Sequence, residues 1–152
     1  MGFGPSPWLA NRSDVLTFMD LVQAFAEEGR SPGMTWGGAT YDFYLGLFRA
    51  YTPLGAAGAV ALCLDGFCLA GGPLPYNTPW GKTAAGWGTY VRPDARGKGL
   101  SRQLRQLVID RLRKLGFKAI IGQVDSNNAA GQASLDSLGW TILGNQGVYL
   151  IQ

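Results

Sequence analysis

Hydrophobic positions recur with two periods along this chain, and the switches between them mark its elements. From Asp14 to about Gly29, Val15, Phe18, Val22 and Phe25 fall on one helical face, with Ser13 placed as N-cap and Gly29 as the stop. A second, aromatic helix is predicted over 40–50, carrying Tyr41, Phe43, Tyr44, Leu47 and Phe48. Two short apolar runs, 59–64 and 67–70, flank Asp65-Gly66 and predict a hairpin. That turn would pair Leu64 with Phe67 and Cys63 with Cys68, the latter with Cα atoms about 4.5 Å apart. Residues 71–82 hold three prolines and predict a loop. A strand over 83–92 would place Trp87, Thr89 and Val91 on one face, and Pro93-Asp94 ends it.

The strongest helical period runs from Gly99 to Leu115, with Leu100, Leu104, Leu107, Val108, Leu112 and Leu115 as the buried stripe. The continuous apolar stretch within 117–124 predicts a buried strand, and a short helix follows over 129–138, capped by Asn127 or Asn128. Strands 140–143 and 147–151 close the chain around a Gly-Asn-Gln-Gly turn. Strand 83–92, helix 99–115 and strand 117–124 then form a right-handed crossover with a parallel strand pair. The expected fold class is α/β (α+β): a mixed, mostly antiparallel sheet with one parallel pair and helices on both faces.

Length and composition narrow this further. A chain of 152 residues with 47% apolar and 15% charged residues fits one folded domain rather than a disordered segment. No apolar run approaches the ~18 residues of a membrane span, and no secretory signal opens the chain, so a cytoplasmic protein without a membrane partner is expected. The net charge of +3 is mild. Arg102, Arg105, Arg111 and Arg113 read as solvated helix charges, with Asp110 and Lys114 pairing, rather than as a nucleic-acid surface. The absence of histidine excludes Ser/His and Cys/His nucleophilic systems and His-based metal sites. Cys63 and Cys68 are too few for a disulfide scaffold or a structural zinc site, so no metal is expected.

Candidate chemistry lies between the strand and the long helix. The run Arg96-Gly97-Lys98-Gly99-Leu100-Ser101 is a basic, glycine-rich turn opening a helix, where unpaired N–H groups and the helix dipole favour an anion. Together with the preceding Tyr90-Val91-Arg92-Pro93-Asp94-Ala95, it resembles the acyl-CoA-binding motif of the GNAT superfamily of N-acetyltransferases, Arg/Gln-x-x-Gly-x-Gly/Ala. Arg96 and Gly99 match, and Ser101 replaces the final small residue. Asn128, eleven residues before Gly139-Trp140, is similar to the Asn that precedes the family's short helix.

The resemblance covers about 59–151 and implies acetyl-CoA as cofactor. It implies backbone pairing of Thr89, Tyr90 and Val91 with pantetheine, the pyrophosphate on N–H groups of Gly97 to Ser101, and a bond from Asn128. Asn128 equally fits a plain N-cap. The implied organisation is one acyltransferase-like domain over 1–152: a helical acceptor-side region, 1–58, and an acyl-CoA-binding core, 59–152. The implied activity is acetyl transfer to a primary amine of a small molecule or polypeptide, and the alternative is a non-catalytic acyl-CoA-binding or assembly module.

Leu135 occupies the position where many family members carry the Tyr that protonates the departing thiolate. Ser134 is the neighbouring hydroxyl, about 100° around the helix. Asp125 is the candidate base at the strand end, and reads first as a turn former in Asp-Ser-Asn-Asn. Glu27 and Glu28 read as solvated charge, and Asp42 as a solvent-facing carboxylate. The aromatic set Trp36, Tyr41, Phe43, Tyr44, Phe48 and Tyr51 exceeds what one helical face buries, pointing to an acceptor pocket or a homodimer surface.

Overall fold

A computed structural model of the chain describes residues 12–28, 38–52, 57–123 and 129–152. Two helices lead, α1 (Arg12–Glu28) and α2 (Gly38–Tyr51). The hairpin β1 (Gly58–Cys63) and β2 (Gly66–Gly71) and the long strand β3 (Thr83–Val91) follow. After a 3-10 turn at Pro93–Ala95 come α3 (Leu100–Lys114), β4 (Ala119–Gln123), α4 (Ala129–Ser137), β5 (Thr141–Leu143) and β6 (Gln146–Leu150). Ser13 thus lies in the first turn of α1 instead of capping it. The six strands form one sheet in the order β1-β2-β3-β4-β6-β5, and only β3 and β4 run parallel.

The sheet separates two cores. On one face Leu100, Leu104, Val108, Ile109 and Leu112 of α3 pack on Ala59, Ala61, Ala84 and Ile120. The small alanines on the strands let the broad leucine stripe of α3 approach closely. On the other face Phe18, Leu21, Val22 and Phe25 of α1 and Tyr44, Phe48 and Tyr51 of α2 pack on Val60, Leu62, Phe67, Leu69 and Tyr90. Both helical stripes follow the periodicity read from the sequence.

Two local readings are corrected. The hairpin forms, but Cys63 pairs with Gly66 and Cys68 with Ala61, so the two cysteines are not cross-strand partners. The turn is Leu64-Asp65. Gly66 is used for closeness, since a Cβ there would lie 2.5 Å from the Tyr90 carbonyl oxygen of β3. Both thiols are free and buried toward α3. Trp87 does not share a face with Thr89 and Val91. The pairing of β2 with β3 steps from Leu69↔Gly88 to Ala70↔Gly86, which leaves Trp87 as a bulged residue. The extra residue reverses the alternation, sending the indole toward α2 while Thr89 and Val91 stay on the α3 side.

The loop between β2 and β3 is tied down. Leu74 N–H donates to Thr83 O at 2.9 Å, and the hydroxyls of Thr78 and Thr83 meet at 2.6 Å.

Candidate active site

The site grows from the end of β3 that runs past its described pairing with β4. Their register runs from Thr83↔Ala119 to Gly86↔Gly122 among the described residues, and β3 continues to Val91. From Trp87 onward β3 pairs with β2 alone among the described residues, and its other backbone edge has no strand partner among them. Thr89, Tyr90 and Val91 lie along that edge. Trp140 stands beside the last described β3–β4 pair, 3.7 Å from where a Cβ on Gly122 would sit. Its buried Nε1–H has no acceptor among the described residues.

That edge of β3 leads to the glycine-rich turn. Gly97 and Gly99 take φ +79° and +77°, left-handed values open to glycine at little steric cost. A Cβ on either would meet nothing within 4 Å, so both face open space. Gly99 is the N-cap of α3 and offers no side chain to its first turn. The helical ladder starts with Gln103 N–H to Gly99 O at 3.1 Å, which leaves the N–H groups ahead of it to an anion or water. Lys98 is exposed on this turn, and the side chain of Leu100 is buried in the α3 core.

Arg96, expected to lend its charge to this turn, is committed elsewhere. Its Nε donates to Val91 O at 2.9 Å, and Nη2 donates to both carboxylate oxygens of Glu28 at 2.7 Å. The guanidinium also lies 5.7 Å from the Tyr90 ring centre. Glu28 is therefore not solvated charge: it joins the C-terminal end of α1 to the turn. Arg105 is likewise not a solvated helix charge. It is half-buried and donates from Nε to Thr89 Oγ1 at 3.4 Å, and that hydroxyl donates to Cys68 Sγ at 3.2 Å. Burial draws the Arg105 guanidinium below its ordinary range and pushes the Cys68 thiol up. Asp110 pairs with Arg113 at 2.8 Å rather than with Lys114, and also accepts from Gln106.

On the opposite face, α2 closes over the bulge. Tyr44 Oη donates to the Trp87 carbonyl at 3.2 Å, and Trp87 Nε1 donates to Tyr51 Oη at 3.0 Å. Phe43 meets the indole edge-on at 5.2 Å. Sequence reasoning placed these aromatics in a cluster without finding what they hold. The signal was present: glycines bracket Trp87, and glycine inside a strand marks a bulge. Asp125, Asn128 and Trp36 lie outside the described residues. Ser134 falls on α4 and Leu135 is half-buried there; Asp42 is exposed.

Burial pushes the Tyr44 phenol from its ordinary 10.0 up to about 12. The folded chain then holds this proton more tightly than the unfolded chain. The stabilisation is complete below pH 10 and is lost as pH rises toward 12. Urea midpoints measured from pH 9 to 12 should fall across that window, and the fall should be shallower in Tyr44→Phe.

A mixed sheet with one parallel pair, and a glycine turn opening the crossover helix, is an architecture of the acyl-CoA-dependent transferase class. The comparison with known families is specific: the acetyltransferase (GNAT) family pattern matches residues 21–140, and the chain belongs to that family. An L-methionine sulfoximine/L-methionine sulfone acetyltransferase of Pseudomonas paraeruginosa is 44% identical over 55 residues, 36% of this chain. The match spans 32% of that relative's length. Among solved structures, yncA of Salmonella typhimurium with its cofactor acetyl-CoA superposes with TM-score 0.69 at 19% identity, over 95% of this chain and 92% of that one. The ribosomal-protein-S18-alanine N-acetyltransferase of Escherichia coli gives TM-score 0.64 at 19% identity, over 93% and 90%. These two likenesses confirm the fold. No helix among the described residues is long and apolar enough to cross a membrane.

Proposed function

We propose that this protein is an acyl-CoA-dependent N-acetyltransferase that acetylates a primary amine, with acetyl-CoA as its acyl donor. The observation that carries the reading is the glycine turn at Gly97 and Gly99, whose open backbone heads α3 just after β3, a strand whose edge beyond Gly86 has no partner among the described residues. The residues present suit this ligand. N–H groups from Gly97 to Ser101 would hold the pyrophosphate, with Lys98 adding charge. Arg96 serves by fixing the turn to Val91 and Glu28. Backbone groups of Thr89, Tyr90 and Val91 would pair with pantetheine, and Asn128 would bond to it.

Bound acetyl-CoA supplies an acetyl thioester. The chain fixes that group beside the acceptor and excludes water, which converts a bimolecular encounter into an oriented one. Backbone N–H groups near the bulge polarise the acyl carbonyl. Asp125 is the candidate to take the proton from the amine nitrogen, directly or through water, and Ser134 is the hydroxyl nearest in sequence to Leu135.

The acceptor class we infer is an amino group on a small amino acid or a polypeptide, in keeping with the names of the Pseudomonas and Escherichia proteins. We read 1–152 as one domain, with 1–58 on the acceptor side and 59–152 as the acyl-CoA core. Exposed Phe43, leaning on Trp87, favours an acceptor wall over a homodimer contact. We place the protein in the cytoplasm, where free thiols such as Cys63 and Cys68 stay reduced.

Thiol release from acetyl-CoA, followed across a panel of L-amino acids, methionine sulfone and short peptides, tests the reading. With no histidine in the chain, kcat/KM should rise toward alkaline pH as the acceptor amine loses its proton. An Asp125→Asn protein that matches the parent at every pH reduces Asp125 to a turn residue. Tight binding of acetyl-CoA with no amine acylated overturns the catalytic reading in favour of a binding module.

A further inference from the structure

We propose that Tyr44 and Tyr51 are positioning residues for acyl transfer, acting through Trp87 to fix the bulge in β3. This rests on the reading of the β3 edge and the glycine turn as the acyl-CoA site. If the pyrophosphate lies at residues 97–101 and the arm runs along Val91, Tyr90 and Thr89, the acyl end arrives at Trp87 and Gly88. That is where the bulge interrupts pairing with β2, and where β3 has no other strand partner among the described residues. A strand segment with an extra residue has a disrupted ladder, so neighbouring strands alone do not set the direction of its peptide groups.

Side chains supply the missing restraint. Tyr44 and Tyr51 stand seven residues apart, two turns on one face of α2. The first holds the main chain of Trp87 through its carbonyl, and the second holds the indole through Nε1. Both tyrosines are only 6% exposed, so water competes weakly for these bonds. The ring of Phe25 blocks the remaining side, 3.2 Å from where a Cβ on Gly88 would lie. Main chain and side chain of one residue are thus gripped from a helix that belongs to the acceptor-side region. Neither phenol needs to touch the reacting atoms. Their part is to keep the peptide groups at Trp87 and Gly88 aimed at the acyl carbonyl, where a misplacement near 1 Å costs on the order of 100-fold in rate.

The test compares the parent with Tyr44→Phe and Tyr51→Phe, using acetyl-CoA labelled with carbon-13 at the acyl carbonyl. Calorimetry should give the same affinity for all three within about threefold. The bound carbonyl resonance of the parent should move downfield from that of free acetyl-CoA, as hydrogen bonding polarises the C=O. Most of that displacement should vanish in Tyr44→Phe and part of it in Tyr51→Phe. Turnover on the best amine of the panel should fall about tenfold or more in kcat with KM for acetyl-CoA unchanged. Equal carbonyl shifts in parent and variants, at equal occupancy, overturn the positioning role even if no acceptor is turned over. Failure of the parent to bind acetyl-CoA overturns the assignment of the β3 edge and this role with it. A lowered Tm with shift and kcat intact assigns the tyrosines to packing alone and rejects the proposal.

Discussion

A Gly99→Val protein should fold and lose acetyl-CoA binding by at least about 100-fold, about 2.8 kcal/mol at tenfold per 1.4 kcal/mol. Gly99 holds φ +77°, where an L-residue costs roughly 1–2 kcal/mol and a β-branched one more. Among the described residues, no atom beyond its own chain neighbours lies within 4 Å of the added Cβ. The internal cost is therefore backbone strain alone, which a domain stable by about 5–15 kcal/mol survives. The valine methyl groups instead occupy the space in front of the first turn of α3, where the pyrophosphate would sit. Gly116, at the far end of α3, supplies the control. It has φ +85° and equally open surroundings, so Gly116→Val carries similar strain with no ligand nearby. Calorimetric titration of the two variants separates strain from obstruction. Affinity in Gly99→Val within threefold of Gly116→Val would falsify the placement of the pyrophosphate.

Phe67→Ala should cost about 3–5 kcal/mol of unfolding free energy, the range for truncating a fully buried aromatic. The ring is 0% exposed and joins three elements. It lies 5.1 Å from Phe18 and 6.1 Å from Phe25 of α1, both edge-on, and 6.4 Å from Tyr90 of β3. Removing it leaves a cavity whose walls belong to a helix and two paired strands, which cannot collapse together without shifting α1. The loss should appear as a lower urea midpoint at unchanged slope. Leu64→Ala, at a position 73% exposed in the hairpin turn, should shift the midpoint little. A Phe67→Ala loss below about 1.5 kcal/mol would mean that α1 is not anchored on β2 through this ring.

The elements of this fold were legible along the chain because each depends on neighbours a few residues away. The leucine spacing of α3 and the glycines at 97, 99 and 116 act through local backbone geometry, and they delivered the crossover and the anion turn at once. The parallel β3–β4 pair followed from that order by connectivity. Other features depend on residues far apart in sequence, and there local reasoning failed in a consistent way. Glu28 and Arg96 are 68 positions apart, so Glu28 looked like a solvated charge and Arg96 like a free cation of the turn until α1 docked beside it. Gly66 looked like half of a turn dipeptide because the Tyr90 carbonyl it must admit belongs to another strand. Arg105 looked solvent-facing by its place on α3, but Thr89 beneath it offers a hydroxyl.

The widest gap concerns Trp87. Strict alternation put it with Thr89 and Val91, and a single extra residue in β3 relative to β2 turned it to the other face. No period within one strand records that count, because a bulge is a property of two strands and the register between them. The sequence by itself determined the order of elements, the glycine turn that opens α3 and the family. Tertiary structure decided which way the bulge faces and what grips it. The bonds from Tyr44 and Tyr51 cross 43 and 36 positions, and only packing α2 onto the sheet brings them within reach.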